Sequence, residues 1–357
     1  MAVAHRLPLC CPSCGTPLAV DDEAAACSAP SGCGRSFPRR QGILSFGDPS
    51  FFYGELSRER TRSLIDHARA TTVASAIEAI EDPQKRSWMR SYVLDDSRGD
   101  WQFFVDLGDR DPSEALLVDV GSGFGAVARS FAPHVGTVCA IDGTLERLEV
   151  SALCARDQGL ENVVPLHADA LTLPLPQGVA DAVVVMGVLE WVPLADEQTP
   201  VEQVQLRFLR QVARILRPGG QLVLGIENRW GYNYLLGEAD EHTGVWGTNL
   251  LPRRMADRRM RAAKGRPFRN YTYGRTALAA LLAQAGLEVE ETLAAIPKYR
   301  APDMTATLRT STPLAHYLRS ISAQPGIAQL AGRVATATGV APELVPTFIQ
   351  LARKAAA

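Results

Sequence analysis

A doubly wound α/β domain built on a parallel sheet, preceded by a small cysteine-rich module, is what the sequence predicts. From Leu116 onward, short apolar runs alternate with amphipathic helical stretches, the pattern of strands joined by helical crossovers. The first of those runs ends in Gly121, Gly123 and Gly125, and such glycines let a backbone turn sharply from strand into helix. Five cysteines fall within the first 33 of 357 residues.

Residues 1–50 are turn-rich. Cys11-Pro12-Ser13-Cys14 is a C-x2-C knuckle, and Cys27 and Cys33 follow with five residues between them. In a reducing compartment, clustered cysteines bind metal more often than they pair. Thiolates from Cys11, Cys14, Cys27 and Cys33 would give Zn2+ a tetrahedral shell, and the metal would replace a core that fifty residues barely build. Cys10 is an alternative to Cys11, but the x2 spacing favours Cys11. Free thiols are the competing interpretation. A closed four-sulfur shell leaves no open position, so the zinc would be structural or substrate-guiding. Cys139 and Cys154 lie in apolar stretches and are expected in the core.

Residues 51–110 are expected to be helical, with Leu64, Ile65, Ala68, Val73, Ile77 and Ile80 at near-helical spacing. Strands follow at 116–120, 137–141, 163–167, 182–186 and 221–226. The fourth is nearly all valine, as a strand buried on both faces should be. A helix over 204–216 ends at Arg217-Pro218-Gly219-Gly220, which has stop chemistry. Residues 228–274 break the alternation and are long for a connection, which marks them as functional. A helix at 276–285 and strands at 287–295 and 305–309 come next. Alanine-rich residues 311–357 are expected to form a helical tail. The predicted domains are therefore 1–50, 51–110, 111–310 with an insertion at 228–274, and 311–357.

The turn reads Asp119-Val120-Gly121-Ser122-Gly123-Phe124-Gly125. Its G-x-G-x-G spacing differs from the G-x-G-x-x-G of dinucleotide binders, where the third glycine brings a helix N-terminus to a pyrophosphate. Taken alone, the turn also fits a purely structural strand–helix corner. S-adenosylmethionine has no phosphate, and its methionine end is cationic. Asp119 and the backbone carbonyls around Gly121 suit that end. Asp142, closing the second strand, can accept both ribose hydroxyl protons. Asp169-Ala170 follows the third strand, where the carboxylate can accept from an adenine amino group. Gly187 to Glu190 follow the fourth, at the strand ends where ligand crevices of open α/β sheets lie.

The residues 119–125, Asp142, Asp169-Ala170, Gly187-Val188-Leu189-Glu190-Trp191-Val192 and Leu216-Arg217-Pro218-Gly219-Gly220 together resemble the ordered motifs of class I S-adenosylmethionine-dependent methyltransferases. The resemblance covers about residues 111–310. It implies a Rossmann-like, seven-stranded sheet with an antiparallel last strand, and cofactor contacts from Asp119, Gly121, Gly123, Gly125, Asp142, Asp169, Ala170 and Gly187. Trp191 stands where many relatives carry histidine, which weakens any claim for a base at that position. Cys33-Gly34-Arg35-Ser36-Phe37-Pro38 through Gly42-Ile43-Leu44-Ser45-Phe46 is similar to zinc ribbons fused to, or partnered with, some methyltransferases.

Methyl transfer to a hydroxyl needs a positioned acceptor and benefits from a base. Glu227 and His242 are the candidates, the latter because a neutral imidazole is available near pH 7. The segment 253–275 holds nine arginines and lysines against Asp257 and suits a phosphate-bearing acceptor, or is a solvated helix face. Glu227-Asn228-Arg229, Glu241-His242-Thr243-Gly244 and Pro297-Lys298-Tyr299-Arg300-Ala301-Pro302 resemble bacterial methyltransferases associated with surface polysaccharide and glycosyltransferase genes. That resemblance implies a sugar or glycan-linked hydroxyl as acceptor. Two other functions compete: a ribosomal RNA base methyltransferase and a non-catalytic cofactor-binding scaffold. The net charge of −2 gives no bulk attraction to nucleic acid, and the first 50 residues hold few basic residues interleaved with aromatics. The intact glycines and aspartates speak against a scaffold. No apolar run reaches the roughly 18 residues of a membrane span, and the start lacks the apolar stretch of a signal peptide, so a cytoplasmic protein is expected.

Overall fold

Strands and helices alternate from Leu116 as the apolar pattern predicts. The computed structural model describes residues 7–29, 32–95, 103–310 and 337–355. The chain divides into two units, Met1–Val185 with Gln211–Gln221, and Met186–Arg210 with Leu222–Ala355.

The first unit opens with an antiparallel ribbon of β1 (Ala19–Val20), β2 (Ala24–Ala26), β3 (Ser36–Arg40) and β4 (Ile43–Ser45). The ribbon does not stand apart. β4 pairs in parallel with β7 (Val163–His167), setting Ser45 opposite His167. Beyond β7 the order continues through β6 (Thr137–Asp142) and β5 (Leu116–Val120) to β8 (Ala180–Met186), with parallel pairing throughout. All of β5 is buried, consistent with a strand covered on both faces.

Three helices pack together and onto a fourth, which follows β6. Ser57 caps α1 (Arg58–Ala70), Thr72 caps α2 (Val73–Glu78), and Asp82 with Pro83 opens α3 (Pro83–Val93), as cap chemistry favours. Leu64, Ile65, Ala68, Val73 and Ile77 form one core with Val150 and Cys154 of α5 (Leu145–Asp157). Each large side chain buried there contributes roughly 1.5–3 kcal/mol. Cys139 is fully buried in β6.

In the second unit, β12 (Thr347–Lys354) pairs antiparallel with β10 (Leu287–Ile296), which pairs antiparallel with β11 (Met304–Thr307). Two helices, α7 (Tyr232–Leu235) and α8 (Arg253–Lys264), interrupt the 228–274 segment, and α9 (Arg275–Gln284) leads into β10. The helix α6 (Val201–Ile215) precedes β9 (Leu216–Glu227), whose last six residues belong to this unit.

Three expectations need correction. The strands number twelve among the described residues, not seven, because the cysteine-rich module and the tail both supply strands. The tail is not wholly helical: Thr347-Phe348-Ile349 is β-branched and aromatic, and burial against β10 fixes it as a strand. Residues 311–336 of that tail lie outside the described residues. Finally, the helix stops at Ile215, next to the expected end, but residues 217–220 lie within β9, which starts at Leu216 instead of Gln221. No helix among the described residues is long and apolar enough to cross a membrane.

Candidate active site

The glycine turn of the first unit is sterically necessary. Gly121, Gly123 and Gly125 have φ of 75°, 55° and 75°, a region other residues rarely adopt. A Cβ on Gly125 would stand 1.9 Å from Ser151 Oγ. Gly125 opens α4 (Ala126–Phe131). The N–H groups of Gly121 and Ser122 bond to the Ile141 carbonyl at 2.7 and 2.9 Å, tying the turn to the end of β6.

Asp142, at that end, accepts the Gly123 N–H through Oδ2 at 2.9 Å and the Thr144 N–H through Oδ1 at 2.8 Å. Asp119 is 2% exposed, and its Oδ2 has no hydrogen-bond partner. Burial, with the charge of Asp142 nearby, pushes its carboxyl up to about 7. A buried carboxyl with one oxygen unpartnered fits a ligand with a cationic end. Asp169 follows β7, is exposed, and accepts the Leu171 N–H at 2.8 Å. Ala170 beside it is half-buried. The structure thus gathers Asp119, Gly121, Gly123, Gly125 and Asp142 tightly, with Asp169 and Ala170 on the next strand end.

Neighbours that no motif signalled complete this surface. Arg147 donates to both oxygens of Glu55 at 2.9 and 2.8 Å and lies over the rings of Tyr53 and Phe124. His167 sits between Ser45 Oγ at 2.7 Å and the Gly143 carbonyl at 3.1 Å. Burial holds its imidazole below the ordinary value.

Gly187, Glu227 and His242 belong to the second unit. Gly187 has φ of 67° and donates to the Gly225 carbonyl at 2.9 Å. Glu227, closing β9, meets His242 and Glu190 in the interior. His242 Nε2 stands 3.4 Å from Glu227 Oε2 and 3.5 Å from Glu190 Oε1. Its Nδ1 hydrogen-bonds to Asp240 Oδ1 at 2.8 Å, while Asp240 Oδ2 accepts from Thr243 and Thr248 at 3.0 and 3.1 Å. The Trp191 ring packs edge-on to the imidazole, with centroids 5.3 Å apart. The neutral imidazole expected near pH 7 gives way here. Although burial opposes it, the charge of Glu227, the hydrogen bond to Asp240 and the nearby Glu190 carboxylate raise His242 well above its ordinary value. Glu190 comes from the end of the fourth strand and Asp240 from the same loop as His242, both in segments the sequence marks without giving either residue this role. The only signal for Glu190 was its place just after the fourth strand.

The basic segment is largely committed to the fold. Arg253 stacks 4.0 Å over Tyr271. Arg269 donates to the carbonyls of Pro193, Asp196, Glu197 and Thr199. Arg261 pairs with Asp257 and Arg275 with Glu343. Arg254, Arg258, Lys264 and Arg266 are exposed.

In the cysteine-rich module, Cys11, Cys14, Cys27 and Cys33 bring their sulfurs within 4.8 Å of one another. The Cys11–Cys33 and Cys14–Cys27 sulfurs are each 3.5 Å apart, too far for a disulfide. A zinc tetrahedron with 2.3 Å bonds has edges of about 3.8 Å, so the thiols fit that ion. Cys10 is buried and lies outside this group, its backbone N–H bonded to the Pro174 carbonyl at 3.0 Å.

Residues 118–224 match the methyltransferase-domain family. The chain is 34% identical over 182 residues to the ubiquinone biosynthesis O-methyltransferase of Caulobacter sp. (strain K31), covering 48% of this chain and 66% of that protein. It is 30% identical over 112 residues to the methyltransferase YcgJ of Bacillus subtilis (strain 168), covering 31% and 40%. The chain spans between 40% and 66% of the length of the curated relatives it matches. A solved structure, geranyl diphosphate C-methyltransferase from Streptomyces coelicolor A3(2), is 14% identical with a TM-score of 0.41, covering 82% of this chain and 86% of that one. Residues 118–224 thus form a methyltransferase domain, similar in sequence to the matching part of these curated methyltransferases.

Proposed function

We propose that the chain transfers a methyl group from S-adenosylmethionine to a hydroxyl of a sugar, a glycan-linked group or another small molecule. One observation carries this reading: the glycine turn and Asp142, tied by a 2.9 Å hydrogen bond, fall inside the matched methyltransferase span. The O-methyltransferase name of the Caulobacter relative supports a hydroxyl acceptor. When bound, the cofactor supplies a methyl group on a sulfonium.

The chain's own residues do the rest. Gly121, Gly123 and Gly125 make room for the methionine end, and Asp119 balances its ammonium. Asp142 holds the ribose hydroxyls, while Asp169 and Ala170 edge the adenine. The insertion at 228–274 receives the acceptor. Glu227 and His242, whose Oε2 and Nε2 stand 3.4 Å apart, take the hydroxyl proton and spread the charge between them. Cys11, Cys14, Cys27 and Cys33 hold a structural zinc in a ribbon over residues 1–50, and such a thiolate site suits a cytoplasmic protein. The exposed Arg254 and Arg258 leave room for a phosphate on the acceptor.

The test is a transfer screen with methyl-labelled cofactor against sugars, lipids and RNA. Label on a hydroxylated small molecule or glycan supports the reading. Label on RNA alone replaces it with a nucleic-acid methyltransferase.

A further inference from the structure

Among the buried polar atoms of the second unit that lack a hydrogen-bond partner, four belong to three neighbouring residues: Glu190 Oε1 and Oε2, Glu227 Oε2 and His242 Nε2. Leaving one such atom unsatisfied costs about 1–3 kcal/mol, and more when it is charged. These four are not scattered. One ligand atom from each of the three residues lies within 4.8 Å of the other two. All three side chains are almost wholly buried.

We infer that Glu190, Glu227 and His242 bind a divalent cation through two carboxylates and an imidazole, with further coordination positions left open. The spacing fits. A tetrahedral shell with bonds of about 2.1 Å has ligand–ligand edges of about 3.4 Å, and Nε2 stands 3.4 and 3.5 Å from the two carboxylate oxygens. The surroundings are also those of a metal ligand. A ligating histidine usually gives its other ring N–H to a carboxylate, which fixes the ring. Here Asp240 takes that role at 2.8 Å and is itself pinned by Thr243 and Thr248. Charge points the same way. Three carboxylates, Glu190, Glu227 and Asp240, crowd one imidazole, and a buried excess of negative charge calls for a cation.

Three protein ligands leave room for a further one, as in catalytic rather than structural metal sites. That an acceptor oxygen fills the open position rests on the proposed function. The cation site itself does not.

The experiment titrates Mn2+ into the full chain, with its cysteine-bound metal retained, and follows loss of the free-ion paramagnetic resonance signal and the thermal midpoint. One Mn2+ per chain and a raised midpoint are expected. Asp240→Asn should weaken binding roughly 10–100-fold. The near-isosteric Glu190→Gln and Glu227→Gln should weaken it more, in protein whose circular dichroism matches wild type. Absence of binding up to millimolar Mn2+, or equal binding by wild type and both glutamine variants, overturns the inference. S-adenosylhomocysteine binding, measured on the same samples, reports on the methyltransferase reading separately. Mn2+ without the nucleoside, or the nucleoside without Mn2+, sinks one claim and leaves the other.

Discussion

His242 and Asp240 are locked together: Nδ1 and Oδ1 lie 2.8 Å apart, and the other Asp240 oxygen is held by two threonines. The ring therefore cannot turn freely, and Nε2 faces Glu190 and Glu227 in a single orientation. Such preorganisation suits a functional site, and it keeps like charges close together in the interior.

The first prediction concerns that crowding. With no divalent metal added, Glu190→Gln removes one of three neighbouring carboxylates while leaving His242 its contacts with Asp240 and Glu227. Stability should rise by roughly 1–2 kcal/mol, since buried charges are often dispensable for stability. Methyl transfer should fall. Chemical denaturation measures the first effect, and a lower midpoint with unchanged slope would show that the cluster is a stabilising network instead.

Gly187 is set against Tyr299. A Cβ there would lie 2.0 Å from Tyr299 Oη and 3.0 Å from Cζ, at φ of 67°. Gly187→Ala should therefore cost about 2–4 kcal/mol from overpacking and backbone strain combined. Tyr299→Phe in the same chain should recover part of that loss and not all, because the ring carbon remains close. Full recovery, or none, in a double-mutant cycle would contradict the geometry.

Asp119 gives a pH dependence with a definite sign. Its carboxyl is pushed from 3.8 to about 7, so the folded ligand-free protein favours the protonated form. This contribution to stability is complete below 3.8 and is lost as pH rises through about 7. A ligand whose ammonium pairs with the ionised carboxylate must expel the proton below that pH. Affinity for S-adenosylhomocysteine should thus fall up to about tenfold per pH unit below 7, and Asp119→Asn should flatten the profile. A profile equally steep in both proteins would place the ammonium elsewhere.

Metal removal should act on the cysteine-rich module. Elemental analysis is expected to find zinc held by Cys11, Cys14, Cys27 and Cys33, and Cys11→Ser should lose it. Because β4 pairs directly with β7, stripping the ion should lower the melting temperature of the first unit rather than merely free a tail. Unchanged melting after complete zinc removal would show that the strand pairing suffices without it.

Much of the first unit was legible because local chemistry there matches tertiary role. Valine-rich runs mark strands buried on both faces, and the glycine spacing and Asp142 stand at strand ends where neighbours in sequence are neighbours in space. The second site was only half legible. Glu227 and His242 attract notice as a carboxylate and an imidazole, but Glu190 reaches them across 37 and 52 residues of sequence, and no local pattern encodes that meeting. The arginines of 253–275 misled for a related reason. Composition shows charge, whereas only packing shows that Arg253 and Arg269 spend it on rings and carbonyls. The last strand was missed because its pairing partner, β10, lies some sixty residues earlier.

The central claim is that residues 118–224 hold S-adenosylmethionine through the glycine turn and Asp142. Calorimetric titration of the folded chain with S-adenosylhomocysteine, beside Asp142→Ala, tests it most directly. The account predicts one site per chain in the wild type and a loss of about 1.5–3 kcal/mol of binding free energy in the variant, the scale of hydrogen bonds to a charged group. Absence of binding heat in folded wild type, or equal affinity in a folded Asp142→Ala protein, would contradict it.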